Sequence, residues 1–460
     1  MVSSFAVLIV TSRILTPNQF GLIGLATGLG LFGSVLCPGG FGEAIIQRLQ
    51  ISSLHLDSVF WFCLGSSCLV FCIECGCADL VATWFKIDSL RILIPVISSR
   101  MIADMAAIVP NALISRSMSF HLFALRSAVV SFVAAAVTLG LVFAGYGIWA
   151  LVISQITSSY VIATASFLSA GWRPNCRFSL GALKELSGYG LYSSATLNII
   201  SLSNQSEQIL IGNFLGTAQL GLYNFSKRIV GVLTSVIAGS LGSVAHPLFS
   251  GIQHDKERVR RGFLLATFVS STVAFPIFAG LAMTSERIIS LVFGNHWVNA
   301  VLYVQIQCAT GLLTCVVSMQ SGLITSQGKA NWWFFYQFIS YAANLVVIIL
   351  FAHFGITALM AASFVRYFAA SLIPVQMTLI LMSVNMVEYL WNLKAPILGT
   401  FVMLLSIFAE RRMIGSSSQF LGLISDIVTG TTTYCMGVLF LEQRRVREFL
   451  ELVTRGLAKH

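Results

Sequence analysis

Charged side chains are scarce in this chain of 460 residues. Asp, Glu, Lys and Arg make up 10% of the sequence against 57% hydrophobic residues, and the mean hydropathy is +0.86. Soluble domains carry about 25% charged residues, so the chain has too little polar surface for a soluble enzyme. Disorder is excluded too, because 34 Phe and long apolar runs extend along the sequence. The composition therefore predicts an all-α integral membrane protein.

Motifs for several kinds of chemistry are also missing. No Gly-rich run ends in Gly-Lys-Ser or Gly-Lys-Thr, and neither H-E-x-x-H nor G-x-S-x-G occurs. Cys72, Cys75 and Cys77 look like a ligand cluster, but they lie in one apolar segment without a second group of ligands. We interpret them as buried free thiols. The sequence thus predicts no catalytic residue, no metal site and no cofactor.

The number of membrane crossings can be read from long stretches of sequence without charged residues. A helix needs roughly 20 apolar residues to cross the bilayer core. No charged residue occurs between Arg126 and Arg173, and Gly145-Tyr146-Gly147 interrupts this window, which predicts two helices. Applied to the whole chain, this reasoning predicts about fourteen transmembrane helices. They lie near residues 2–12, 21–41, 59–85, 90–113, 124–145, 148–170, 188–213, 219–245, 262–283, 299–325, 332–353, 355–381, 395–409 and 418–441.

The distribution of basic residues predicts the topology. Most of the 27 Lys and Arg fall on one side of the membrane when the C-terminal tail is placed in the cytoplasm. An even number of spans then puts both termini in the cytoplasm. The net charge of +10 is accounted for by this asymmetry and implies no nucleic-acid partner. The connections are also too short for a soluble catalytic domain.

An internal repeat predicts the domain organisation. Residues 15–22 match residues 215–222, and residues 144–151 match residues 352–359, at nearly equal offsets. Six helices per half is an even number, so the halves should be parallel and enclose a cleft, as in a transporter. The predicted parts are an N-lobe at 1–170 with a short first helix, a cytoplasmic linker at 171–187, a C-lobe at 188–381, a helix pair at 382–441 and a basic amphipathic tail at 442–460.

Six stretches resemble a known family, and they lie at 12–22, 42–48, 208–216, 221–224, 246–250 and 291–297. They are similar to the Wzx-type polysaccharide exporters, or O-antigen flippases, of the MATE-like (MOP) superfamily. The resemblance implies a MATE-like flippase fold. It also implies that a polyprenyl-pyrophosphate-linked oligosaccharide crosses the bacterial inner membrane by alternating access, for exopolysaccharide, O-antigen or capsule synthesis. The implied partners are this lipid-linked substrate, membrane lipids, and a polysaccharide polymerase with its assembly proteins.

Basic residues inside the predicted spans are the candidate binding groups, because charges in a membrane are costly unless they face protein or water. Arg13, Lys227 and Arg228 lie on helices that line the cleft in this superfamily, and Arg366 lies in the twelfth span. Arg can hold a pyrophosphate with two parallel hydrogen bonds, whereas Lys acts as a point charge. We expect these four residues to hold the substrate pyrophosphate. Snorkelling of the bases to the interface is the alternative.

Glu207 is the clearest acid within a span. Asn204, Glu207 and Gln208 are spaced i, i+3 and i+4 and would form one polar face toward the cleft. We predict that Asn204 binds substrate and that Glu207 couples transport to H+ or Na+. The alternative is a structural acid, hydrogen-bonded between helices or paired with Lys227.

Three other acids have structural interpretations. Arg100 and Asp104 are four residues apart and are predicted to form an ion pair within one helix. Asp79 and Asp426 are expected at helix ends or in packing contacts.

Other classes of protein remain open at the level of sequence. A multidrug cation antiporter of the same superfamily should place acids in its cavity, which the Arg and Lys bias disfavours. A membrane-embedded polysaccharide polymerase or ligase needs a large outer loop, which the short connections disfavour. A scaffold within a polysaccharide assembly complex is the third alternative.

Overall fold

Helices make up the regular structure of the described part of this chain. The computed structural model describes residues 2–118, 120–251, 255–414 and 418–442, and each regular element within these ranges is helical. The predicted all-α class is confirmed. The predicted tail is not tested, because residues 443–460 lie outside the described ranges.

The described residues form two compact units. The first holds residues up to Asn224 together with Ile348–Gly355, and the second holds Phe225–Val347 together with the residues from Ile356 onward. The units are defined by contacts, whereas the predicted lobes are defined by the repeat, so residues 188–224 and 348–355 of the predicted C-lobe fall in the first unit. The predicted lobe boundaries stay a prediction.

Eight helices lie wholly within the first unit. They are α1 (Val2–Ile14), α2 (Pro17–Gly30), α3 (Phe41–Gln47), α4 (Ser53–Phe85), α5 (Leu90–Ala106), α6 (Ile108–Arg116), α7 (Phe120–Phe143) and α8 (Ile148–Ala170). Two helices, α9 (Leu180–Gly251) and α12 (Ala330–Phe351), contribute to both units. The second unit also contains α10 (Lys256–Ile288), α11 (Val301–Ser326), α13 (Ile356–Met382), α14 (Met386–Asn392), α15 (Lys394–Ile414) and α16 (Gln419–Leu441).

The length and composition of the helices fit a multi-pass membrane protein. Ten described helices are long and apolar enough to cross a membrane, and there are eleven if the bent pair Met386–Asn392 and Lys394–Met413 forms one span. The membrane class is therefore confirmed. The number of fourteen crossings stays a prediction.

The second predicted span, at 21–41, was placed wrongly. Helix α2 begins at Pro17, where Thr16 caps it and exchanges hydrogen bonds with Gln19. A 3-10 turn at Phe32–Leu36 extends it, and this candidate span ends at Leu36. The chain cannot continue as a helix to residue 41, because Pro38 lacks the N–H donor and two glycines follow it.

Hydrogen bonds and apolar packing hold the predicted linker against α3 and α4 of the first unit. Asp57 Oδ1 accepts a hydrogen bond from the Asn175 N–H at 3.1 Å, and Trp61 Nε1 donates to the Asn175 carbonyl at 2.8 Å. Leu186 is buried in a core that includes Phe41. The end of the predicted linker forms the first part of α9, which begins at Leu180 and has no non-helical residue before Gly216.

The structure corrects the interpretation of the cysteine cluster. Cys72, Cys75 and Cys77 are free thiols on α4, but Cys72 and Cys77 are exposed and Cys75 is half-buried. The prediction that they are buried was wrong, because a membrane helix can turn apolar side chains to lipid as readily as to protein. Within the described ranges, no group of three His, Cys, Asp or Glu could hold a metal ion.

Candidate functional site

A break in α9 at Gly216 brings the polar residues of the first unit together. Gly216 has a φ of 79°, which glycine adopts without strain. Gly212 packs near Leu220, and Gln208 bonds Asn224, so residues on either side of the break pair in reverse order. The chain therefore turns back on itself at Gly216, as the predicted separation into two spans requires.

Glu207 lies inside this hairpin. The residue is 7% exposed, and its carboxylate accepts a 2.7 Å hydrogen bond from the Tyr223 hydroxyl. This hydrogen bond joins the two helical segments on either side of Gly216, as the structural alternative for Glu207 expects. Its role in ion coupling stays a prediction. Asn204, one turn earlier, is exposed, so the predicted polar face is divided between a buried acid and an exposed amide.

An amide pair lies beside Glu207. Gln208 Nε2 donates to Asn224 Oδ1 at 2.9 Å, and Asn224 Nδ2 donates back to Gln208 Oε1 at 2.7 Å. Helix α2 packs on this pair through Gly24, where a Cβ atom would stand 2.2 Å from Asn224 Nδ2. The pair satisfies its own polar groups within the apolar packing, which a membrane interior requires.

The predicted basic residues belong to different units. Arg13 is exposed in the last turn of α1, where a cation interacts favourably with the negative end of the helix dipole. Lys227 and Arg228 are adjacent and exposed on the second part of α9, and they belong to the second unit with Arg366. A common site for all four bases stays a prediction.

Arg366 lies in a cluster of hydroxyl groups in the second unit. Its Nη1 donates to the Ser340 carbonyl at 3.0 Å and to the Ser340 hydroxyl at 3.1 Å. Its guanidinium carbon is 5.9 Å from the centre of the Tyr367 ring. Thr314 donates to the Tyr367 hydroxyl at 3.0 Å, which joins α11 to α13.

Lys227, on α9, acts on the same cluster electrostatically. It interacts electrostatically with Tyr341, whose hydroxyl also accepts a 3.4 Å hydrogen bond from Gln337. Arg366 likewise interacts electrostatically with Tyr336. Three tyrosines from α12 and α13 thus accompany two of the predicted bases.

The sequence reasoning missed these tyrosines. The sequence does contain a signal for them, because five polar or amphipathic residues occur within nine consecutive positions of α12, ahead of an apolar C-terminal part. They are Tyr336, Gln337, Ser340, Tyr341 and Asn344. Such density on a membrane helix indicates a face turned toward protein or water.

A second group that the sequence reasoning missed is a buried ion-pair cluster. Asp426 is 1% exposed and lies between Arg287 and Arg411, whose guanidinium nitrogens approach its Oδ2 to 2.6 and 2.7 Å. Arg287 also donates to the Gly422 carbonyl at 2.6 Å, and Arg411 donates to the Met283 carbonyl at 2.9 Å. The cluster joins α10, α15 and α16. Asp426 is thus in a packing contact, as predicted, but its partners were not foreseen.

The ion pair predicted within α5 is present. Arg100 Nε is 3.2 Å from Asp104 Oδ2. Asp79 pairs with Arg91 across the α4–α5 turn at 3.4 Å, which places it near a helix end. Both interpretations are confirmed.

The fold matches the solved structures of a flippase and of a multidrug transporter. The lipid II flippase MurJ, in an inward closed conformation, matches with a TM-score of 0.79 over 97% of this chain and 99% of that chain, at 12% identity. An inward-facing multidrug resistance MATE family transporter of the MOP superfamily matches with a TM-score of 0.59 over 86% and 94%, at 15% identity. These identities show the fold alone, and the predicted MATE-like flippase fold is confirmed. The class is therefore a helical membrane protein with the fold that these two transporters share.

The family follows from sequence similarity. The chain belongs to the polysaccharide biosynthesis protein family, whose model matches residues 10–302. The teichuronic acid biosynthesis protein TuaB of Bacillus subtilis (strain 168) is 27% identical over 66% of this chain and 64% of that protein. The succinoglycan biosynthesis transport protein ExoT of Rhizobium meliloti (strain 1021) is 25% identical over 64% and 60%. The lipopolysaccharide biosynthesis protein WzxC of Escherichia coli (strain K12) is 25% identical over 70% and 66%. The chain thus spans less than two thirds of each of these relatives.

Proposed function

We propose that this protein moves a polyprenyl-pyrophosphate-linked oligosaccharide from the inner to the outer leaflet of the bacterial cell membrane, for synthesis of a surface polysaccharide. The family match over residues 10–302 is the observation that carries the proposal. The relatives are named as proteins of teichuronic acid, succinoglycan and lipopolysaccharide biosynthesis, and ExoT is named as a transport protein. The fold supports translocation as the step.

The cluster around Arg366 supplies chemistry that suits such a substrate. Lys227 is exposed on α9 and Arg366 is half-buried on α13, so both place positive charge on helices of the second unit. Hydrogen bonds from cations to phosphate oxygens are stronger than neutral ones. The hydroxyls of Tyr341 and Tyr367 can donate to and accept from sugar hydroxyls. A lipid-linked saccharide offers both groups at one junction, where the pyrophosphate meets the first sugar.

The remaining parts of the proposal follow from topology and charge. Both termini lie in the cytoplasm, the cleft opens alternately to the two sides, and an H+ or Na+ gradient acts through Glu207. A polysaccharide polymerase and assembly proteins receive the product. A multidrug cation antiporter is disfavoured, since Lys227, Arg228 and Arg366 repel cations. An integral polymerase or ligase is disfavoured by the short connections between described helices.

The direct test uses vesicles that contain this protein alone. A fluorescent sugar on a polyprenyl pyrophosphate is added to the lipid, and an impermeant reductant quenches the label in the outer leaflet. We expect the protein to make the inner-leaflet label accessible to the reductant. Vesicles with correctly inserted protein that leave this label protected would contradict the proposal.

Variants of Lys227 connect this activity to the site. Lys227→Gln should slow flipping roughly tenfold, because a hydrogen bond to a charged group contributes about 1.5–3 kcal/mol. Lys227→Arg keeps the charge and should retain most activity. Arg261→Gln is the matched control, since Arg261 is an exposed base at the start of α10 that pairs with Glu257. Equal rates for Lys227→Gln and the control would remove Lys227 from the site.

A further inference from the structure

A cavity of about 480 Å3 lies between α10, α11 and α15 in the second unit. Its polar lining residues are Glu286, Gln305 and Arg411, one from each helix. The apolar part of its lining includes Ala279, Leu312 and Leu404. The cavity is separate from the tyrosine cluster, with which it shares no lining residue.

The register of the three helices places these residues at two levels. Glu286 is seven residues from Ala279, Gln305 is seven from Leu312 and Arg411 is seven from Leu404. Seven residues are two helical turns, or about 10 Å. Gln305 Nε2 donates to the Ala282 carbonyl at 3.3 Å, and Arg411 donates to the Met283 carbonyl, so both reach the same turn of α10. The cavity is therefore polar at one end and apolar at the other.

The polar end carries both signs of charge. The Arg411 side chain is 25% exposed, and its Nε and Nη2 atoms bond Asp426 and the Met283 carbonyl, which fixes its orientation. The Glu286 carboxylate is exposed at the same end. An anionic head group would be repelled by Glu286, and a cationic drug would be repelled by Arg411. A zwitterion with a cation and an anion a few bonds apart avoids both repulsions, because its cation can face Glu286 while its anion faces Arg411.

We propose that this cavity binds a zwitterionic phospholipid with a primary ammonium group. The phosphate oxygens accept from Arg411, the ammonium donates to Glu286 and to the Gln305 amide oxygen, and the acyl chains pack along Leu312 and Leu404. Phosphate and ammonium are adjacent in such a head group, which matches two opposite charges at the mouth of one pocket. Under the predicted topology, the polar end lies at the outer leaflet. This lipid site is independent of the proposed substrate.

Native mass spectrometry of the full protein, stripped of lipid in detergent, tests the proposal. The probes are phosphatidylethanolamine, phosphatidylcholine and phosphatidylglycerol with identical acyl chains. We expect phosphatidylethanolamine to bind about tenfold more tightly than phosphatidylcholine, because a quaternary ammonium cannot donate hydrogen bonds to Glu286. Equal binding of these two lipids, or tighter binding of phosphatidylglycerol, would overturn the proposal.

Two variants assign the binding to this cavity. Glu286→Gln should weaken the preference for phosphatidylethanolamine, because an uncharged amide oxygen replaces the carboxylate as acceptor. The variant is expected to fold because Glu286 is exposed. Glu257→Gln, at the opposite end of α10, is the matched control and should retain the preference. Ala309→Phe fills the apolar part of the cavity and should weaken binding of every lipid. Unchanged preference in Glu286→Gln, or unchanged binding in a folded Ala309→Phe, would refute the assignment.

Discussion

Gly21 and Gly221 each pack against the backbone that precedes the other. A Cβ atom on Gly21 would stand 1.7 Å from the Thr217 carbonyl oxygen, and a Cβ atom on Gly221 would stand 1.8 Å from the Pro17 carbonyl oxygen. The repeat relates the two contacts, because an offset of 200 residues maps Pro17 onto Thr217 and Gly21 onto Gly221. A two-fold relation between the two segments produces this reciprocity, so the repeat explains why both positions are glycine.

The first prediction follows from this contact. Gly21→Ala and Gly221→Ala should each lower the melting temperature of the purified protein, because backbone atoms must move apart, at a cost of about 1–3 kcal/mol. Gly140→Ala on α7 is the control, since a Cβ atom there meets nothing within 4 Å. Thermal unfolding in detergent measures the difference. Similar melting temperatures for all three variants would contradict the close approach.

The buried acid of the hairpin gives the second prediction. Tyr223→Phe should destabilise the protein by about 1–3 kcal/mol, because it leaves the buried Glu207 carboxylate without this donor. Glu207→Gln should cost less, since its amide oxygen still accepts from Tyr223. If Glu207 couples transport to an ion, Glu207→Gln should also remove the dependence of flipping on pH or Na+. A Glu207→Gln protein with wild-type ion dependence would exclude that role.

Arg366 gives the third prediction. Arg366→Gln should abolish most flipping and Arg366→Lys should retain part of it, because only the positive charge is common to Arg and Lys. Ser340→Ala tests the anchoring of Arg366, since it removes one acceptor and keeps the Ser340 carbonyl. We expect it to cost less than about 1.5 kcal/mol and little activity. Flipping in vesicles and thermal unfolding, compared in the same preparations, separate binding from stability.

The fourth prediction concerns the cluster around Asp426. Asp426→Asn should destabilise the second unit by about 3–5 kcal/mol, because it leaves two arginines without their buried counter-charge. Asp104→Asn breaks the more exposed pair with Arg100 and should cost about 1 kcal/mol or less. The melting temperatures of the two variants test this ranking. A smaller loss for Asp426→Asn than for Asp104→Asn would be inconsistent with the described burial.

The fifth prediction concerns acid sensitivity of the linker. A hydrogen bond from Arg48, and then one from His55, lowers the pKa of Glu185 below its ordinary value of 4.5. The lowered pKa means that this contact stabilises the fold above pH 4.5 and is lost as the pH falls through the folded-state pKa. Arg48→Gln should therefore reduce the loss of stability on acidification. Melting temperatures from pH 7 down to about pH 3 test this, with Arg177→Gln as a linker control.

Local patterns predicted the features that depend on neighbouring residues. The Arg100–Asp104 pair was predictable because four residues are about one helical turn. The breaks near Gly147, Gly216 and Gly355 were predictable because glycine readily adopts a positive φ, which all three have in the structure. The second span was misplaced because hydropathy does not register the Pro38-Gly39-Gly40 stop. The thiols on α4 were misassigned because an apolar helix in lipid has no periodicity that separates its buried face from its exposed face.

The amino-acid sequence by itself determined the membrane environment, the helical class and the repeat, because these depend on composition and on spacing along the chain. Only the tertiary structure decided which side chains meet. Asp426 and Arg287 are 139 residues apart, and Lys227 and Tyr341 lie on different helices, so no local pattern relates them. Such contacts depend on helix rotation and register, which packing sets and composition does not.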